Sequence, residues 1–141
     1  SDLASKAWLF IDEAHVVAPR DGFSAARESL IEYVKRGRDA GLSLVLATQQ
    51  PSAVDSKILS QVNLSLSHRL TFENDCQACI DRIPTRKLKQ VDFGGKSLTD
   101  FSEMISLLEP GQCFIGDSNT SRVITAAIRP RVTSHGGYSP E

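Results

Sequence analysis

A chain of 141 residues suits one domain built around one core. Its 40% hydrophobic and 23% charged residues are those of an ordinary globular protein. No apolar run approaches the roughly 20 residues that cross a bilayer, the longest being strand-sized, and the net charge of −1 argues against an electrostatic grip on nucleic acid by the whole domain.

No basic-then-apolar leader is visible, so no secretory signal is expected, and the start at Ser1 without a methionine suggests a piece of a longer protein. Residues 7–11 form an apolar run ended by two acids, as in a strand buried on both faces of a parallel sheet. Over 23–36, Phe23, Ala26, Leu30, Tyr33 and Val34 recur at helical spacing, with Gly41 as the expected stop. Residues 42–47 form a second apolar strand. Strand, helix and strand in this order predict a βαβ unit with parallel strands and a right-handed crossover. A short helix is expected over 54–61. Alternating residues 64–70 predict a third strand nearer an edge, and helices are expected over 74–83 and 100–108. A basic segment (Arg82, Arg86, Lys87, Lys89) and a glycine turn at Gly94-Gly95 lie between those helices. Segments 112–116 and 122–129 predict a terminal β-hairpin. Residues 1–130 make the domain, and the Pro-, Gly- and Ser-rich residues 131–141 a loose tail.

In open α/β sheets, ligands bind beyond the carboxyl ends of the strands. Asp12 and Glu13 follow the first strand, and Thr48 and Gln49 follow the second, so parallel pairing sets them on one edge. Nucleotide hydrolysis needs such groups. Mg²⁺ keeps waters and takes one or two carboxylates, which suits Asp12. A second carboxylate that polarises the attacking water suits Glu13. A neutral amide near the γ-phosphate suits Gln49, and the Arg38 guanidinium, just before the second strand, can offset phosphate charge. Each residue also has a plainer reading. An acidic pair is a common helix-start signal, Gln49 can be a solvated loop residue, and Arg38 an exposed helix-end cation.

Three segments together, Leu9 to His15, Lys35 to Gly41 and Ala47 to Pro51, resemble the HerA/FtsK superfamily of ring-forming DNA-pumping ATPases, the HerA branch most of all. The likeness continues through Ile58 to Asn63, Arg69-Leu70, Asn74-Asp75, Leu107 to Gly116 and Arg129 to Gly137. It implies an α/β fold: a partial RecA-like (P-loop NTPase) fold with a mostly parallel sheet, flanking helices and a C-terminal β-hairpin. It also implies a hexameric ring that uses ATP and Mg²⁺ to drive double-stranded DNA through its pore, often with a nuclease partner. By position, Asp12 would be the Walker B acid that holds Mg²⁺ through water, Glu13 the catalytic base, Gln49 the phosphate sensor and Arg38 a cis-acting arginine. The tail from Pro130 to Pro140 would reach a neighbouring subunit. Gln50 departs from the pattern, standing where many relatives carry arginine.

The sequence contains no G-x-x-x-x-G-K-S/T phosphate loop. Gly95-Lys96-Ser97 imitates its end, but Gln90 occupies the place of the first glycine, and Asp92-Phe93-Gly94 imitates a kinase triplet without the catalytic-loop signature before it. Both read as the glycine turn. The phosphate loop is expected upstream, its strand lying between the second and third strands here, so strand edges should be exposed and the segment inactive alone. Asp12 to His15 also spell a DEAH box, which leaves a DEAH-type helicase fragment, or a non-catalytic assembly module, as alternatives. Three cysteines without an export signal, Cys76, Cys79 and Cys113, suit reduced thiols in the cytoplasm. Cys76 and Cys79 form a single C-x-x-C, a poor zinc site without further ligands. His15 reads as a loop residue beside the ATP edge, His68 as structural.

Overall fold

The computed structural model describes residues 6–37, 39–83, 91–93, 96–98, 100–130 and 132. Strand β1 (Ala7–Ile11) leads through a single helical turn, α1 (Ala14–Val17), and helix α2 (Arg27–Arg36) into β2 (Leu42–Leu46). The two strands pair in parallel, from Ala7 opposite Leu42 to Ile11 opposite Leu46, so the expected βαβ unit is formed. A 3-10 turn (Pro51–Ala53) and α3 (Ser56–Leu59) precede β3 (Leu64–Ser67) and α4 (Glu73–Ile80). A small antiparallel pair follows, β4 (Val91–Phe93) with β5 (Lys96–Leu98). Its two strands flank Gly94-Gly95, which lie outside the described residues, as do Arg86, Lys87 and Lys89 of the basic segment. After α5 (Phe101–Ser106), β6 (Gln112–Asp117) and β7 (Arg122–Ala127) form the expected hairpin. The second sheet runs β3-β6-β7, with antiparallel neighbours and β3 at an edge. Apart from Val132, the expected tail over 131–141 lies outside the described residues.

Helix α2 is shorter than its apolar spacing predicts. The Ser24 hydroxyl donates to the Val17 carbonyl, and the Ser24 carbonyl accepts the Arg27 N–H. This turn delays the helix and leaves Phe23 outside it, 92% exposed. The helix ends at Gly37 rather than Gly41. A Cβ on Gly37 would lie 2.5 Å from the Tyr33 carbonyl oxygen, so no other residue fits that cap without a shift. Gly41, at a φ of 73°, instead turns the chain into β2.

Two apolar clusters hold these layers. Under β1 and β2, Ala18, Leu30, Ile31 and Ile58 meet Ile11, Leu44 and Leu46. Under the second sheet, Ile83, Phe101, Met104, Ile105 and Leu108 gather around Phe114. The Ser52 N–H donates to the buried Asp75 carboxylate at 2.9 Å, tying α4 to the 3-10 turn.

Buried Asp55 caps α3 by accepting the Lys57 N–H at 2.7 Å, and it accepts Nε and Nη2 of Arg27 at 2.7 and 2.6 Å. Burial works to raise its carboxyl pKa. The Lys57 amide, the Arg27 hydrogen bond and both cations outweigh burial and hold the pKa below the usual carboxylate value. A depressed native pKa contributes stability above the unfolded value of about 3.9, and that contribution is lost as pH falls through the native value. Asp55→Asn is therefore expected to lower the melting temperature at pH 7. The gap to the unaltered protein should narrow once the pH falls below about 4, as melting curves across pH would register.

Each sheet has one face packed on a core cluster and an opposite, bare face that carries exposed apolar side chains. On β1 and β2 the bare face carries Trp8 and Phe10, 64% and 70% exposed with rings stacked 6.2 Å apart, together with Val45. On the second sheet it carries Leu64, Leu66 and Ile124, while Ser65 and Ser67 face the covered side with Phe114 and Gly116. Large apolar side chains out and serines in is the reverse of a half-solvated strand. Strands β2 and β3 are not paired with each other among the described residues, and it is between them that the phosphate-loop strand is expected.

Candidate active site

The parallel ladder continues one step past each strand. Ala47 N–H donates to the Ile11 carbonyl, and Ala14 N–H to the Ala47 carbonyl, both at 2.9 Å. These bonds bind the loop after β1 to the loop after β2 and fix what the loops carry.

Glu13 has φ 48° and ψ 49°, the left-handed region. For a residue with a Cβ this costs roughly 1–2 kcal/mol, and such strain clusters at functional sites. The surroundings hold it there. Asp12 Oδ1 accepts the Glu13 N–H at 2.9 Å, and the Glu13 carbonyl accepts the Val16 N–H at 2.8 Å to start α1. The carboxylate meets the β2 loop, where Gln49 Nε2 donates to Glu13 Oε1 at 3.0 Å. Oε2 is shielded from solvent and has no hydrogen-bond donor among the described residues; His15 Nδ1 lies 3.4 Å from it. The same His15 Nδ1 is 2.9 Å from Thr48 Oγ1, which also accepts the Gln50 N–H at 3.1 Å.

The structure thus brings together three of the residues singled out from sequence: Asp12, Glu13 and Gln49. Arg38 lies outside the described residues. The structure also sets His15 beside the Glu13 carboxylate and Thr48 beside His15. The signal for His15 was its place two residues beyond Glu13, but a one-turn helix leaves no periodicity from which to read its direction. Exposed Asp12 offers hard oxygen at a solvent-facing strand end, and no group of three or more His, Cys, Asp or Glu gathers among the described residues. That donor set fits a hydrated Mg²⁺ taking one protein carboxylate, not a metal enclosed by side chains.

No family model matches the chain. A probable helicase of Methanocaldococcus jannaschii is 34% identical over 74 residues, 52% of this chain and 14% of the relative. The DNA double-strand break repair helicase HerA of Pyrococcus furiosus is 30% identical over 73 residues, 52% of this chain and 13% of the relative. The chain thus spans about a seventh of the length of these relatives. Among solved structures, the genome packaging NTPase of Sulfolobus turreted icosahedral virus 2 with ATP-gammaS superposes with a TM-score of 0.65 at 19% identity, over 89% of this chain and 54% of that one. The plasmid coupling protein TrwB with ADP and Mg²⁺ superposes with a TM-score of 0.62 at 16% identity, over 92% of this chain and 32% of that one. The chain is a HerA/FtsK-like segment. Its fold is that of the P-loop NTPases.

Other polar features of the HerA/FtsK-like segment have structural explanations. Burial pushes both the Cys76 and Cys79 thiols up. All three cysteines are free. His68 Nδ1 lies 2.9 Å from the Gln112 carbonyl oxygen, at the join of β3 and β6. No helix among the described residues is long and apolar enough to cross a membrane.

Proposed function

We propose that this chain is the Walker B-containing part of an ATP-driven, ring-forming motor that moves double-stranded DNA in the cytoplasm. The observation that carries this reading is the hydrogen bond between Gln49 and Glu13 across the carboxyl ends of two parallel strands, beside Asp12. Asp12 would hold a hydrated Mg²⁺, which would supply charge neutralisation on the phosphates. Glu13 takes the proton of the attacking water, and Gln49 orients that water and reports the γ-phosphate. Arg38, which precedes β2 in the sequence, offsets phosphate charge. The names of the similar proteins support DNA as the cargo: a break-repair helicase, a genome packaging NTPase and a plasmid coupling protein. A hexameric ring and a nuclease partner are part of the same reading.

The bare sheet faces support the further reading that the chain is inactive alone. Parallel sheets occur almost only with both faces covered, and here Trp8 and Phe10 of the parallel pair are exposed; Leu64, Leu66 and Ile124 add exposed apolar surface on the antiparallel sheet. A preceding segment bearing the phosphate-loop strand and its helix supplies that cover and most of the phosphate contacts. Calorimetric titration of this chain with ATP and Mg²⁺ is expected to show no binding. The full-length protein is expected to hydrolyse ATP faster with double-stranded DNA than with RNA. Tight ATP binding by this chain alone defeats the inactive-segment reading, and RNA-stimulated turnover indifferent to DNA defeats the DNA motor in favour of a DEAH-type helicase.

A further inference from the structure

We propose that His15 is a positioning residue for Glu13, braced by Thr48; this rests on the reading of Glu13 as the base. A general base works only if its carboxylate is held at the attacking water, and a misplacement of about 1 Å can cost on the order of 100-fold. Glu13 is half-exposed and starts from a left-handed backbone, so its own chain gives it little restraint beyond that turn. Two side chains bracket its carboxylate. Gln49 holds Oε1 from the β2 loop, and His15 stands 3.4 Å from Oε2 on the other side.

The geometry also selects the His15 tautomer. A lone pair on Nδ1 would face the lone pairs of the shielded Glu13 Oε2. A proton on Nδ1 is attracted by that oxygen and donates to Thr48 Oγ1 at 2.9 Å. Thr48 is itself fixed, because its hydroxyl oxygen also accepts the Gln50 N–H. The ring therefore stands between a braced hydroxyl and the base. This is the general arrangement of a catalytic group oriented by a third residue. Gln49 must turn to phosphate and water when nucleotide arrives, whereas His15 has no such second duty and keeps Glu13 in place.

The test is steady-state ATP hydrolysis by the full-length protein carrying His15→Ala, His15→Asn, Thr48→Val or, as control, Glu13→Gln. An asparagine amide nitrogen can occupy the place of Nδ1. His15→Ala and Thr48→Val are expected to lower kcat roughly 10- to 100-fold with KM for ATP unchanged, and His15→Asn to restore most of the loss. The double variant His15→Ala/Thr48→Val should fall no further than either single change, because both act along one route. Wild-type kcat in His15→Ala with a dead Glu13→Gln overturns the His15 role alone, as does a rise in KM at constant kcat or no recovery in His15→Asn. Wild-type turnover in Glu13→Gln overturns the reading of the base itself, and the His15 role with it.

Discussion

Glu13→Gln in the full-length protein is expected to cut ATP turnover by about 100- to 10,000-fold, the usual worth of a positioned general base, while ATP affinity stays nearly unchanged. That loss corresponds to roughly 3–5 kcal/mol of barrier. The substitution is close to isosteric, and its carbonyl oxygen can still accept the Gln49 amide that Glu13 Oε1 accepts at 3.0 Å. What disappears is the capacity to take a proton. Separate kcat and KM values check this, because a structural fault would disturb binding as well. A kcat within about threefold of the unaltered protein would be too small an effect for a general base.

Phe114→Ala is expected to have the largest effect on stability. Phe114 is fully buried at the centre of β6, and its ring lies 4.7 Å from that of Phe101 on α5. It is the pivot of the cluster formed by Ile83, Met104, Ile105 and Leu108. Removing a buried phenyl ring from such a site costs about 3–5 kcal/mol, a large share of the roughly 5–15 kcal/mol that holds a domain folded. Phe114→Leu, which leaves a smaller cavity, should cost less. Denaturant unfolding of both variants gives the comparison, and a loss below about 1 kcal/mol for Phe114→Ala would mean a core far more forgiving than close packing allows.

The parts of the fold legible in the sequence are those where burial writes a plain pattern. Strands β1 and β2 read as apolar runs, interrupted only by Ser43, the pattern of a parallel sheet covered on both sides, although one face of the pair is exposed here. Their parallel pairing then placed Asp12, Glu13, Thr48 and Gln49 on one edge before any geometry was known. Periodicity misled at Phe23, which fits the helical spacing but sits in the turn that Ser24 ties down. Strands β4 and β5 have three residues each, too few to show alternation, and a glycine pair between them reads as a turn alone. The left-handed Glu13 was invisible because sequence favours glycine or asparagine there. His15 was expected beside this edge, but its direction was hidden, because it follows from that turn and from the ladder extended through Ala47 and Ala14.

The apolar and polar order of β3 carries a lesson of its own. Its alternation correctly indicates a strand, and its position at an edge follows from the pairing. Yet Leu64 and Leu66 point to the bare side and Ser65 and Ser67 to the covered one. Trp8 and Phe10 on β1 share this exposure.

The most direct test of the central claim is the structure of the full-length Glu13→Gln protein, slowed in hydrolysis, with ATP and Mg²⁺ bound. The account predicts Asp12 in contact with the water shell of the magnesium ion, and the residue 13 and Gln49 side chains both within hydrogen-bond reach of a water in line with the γ-phosphate. Nucleotide bound away from the carboxyl ends of β1 and β2, or a γ-phosphate approached by neither residue 13 nor Gln49, would contradict it.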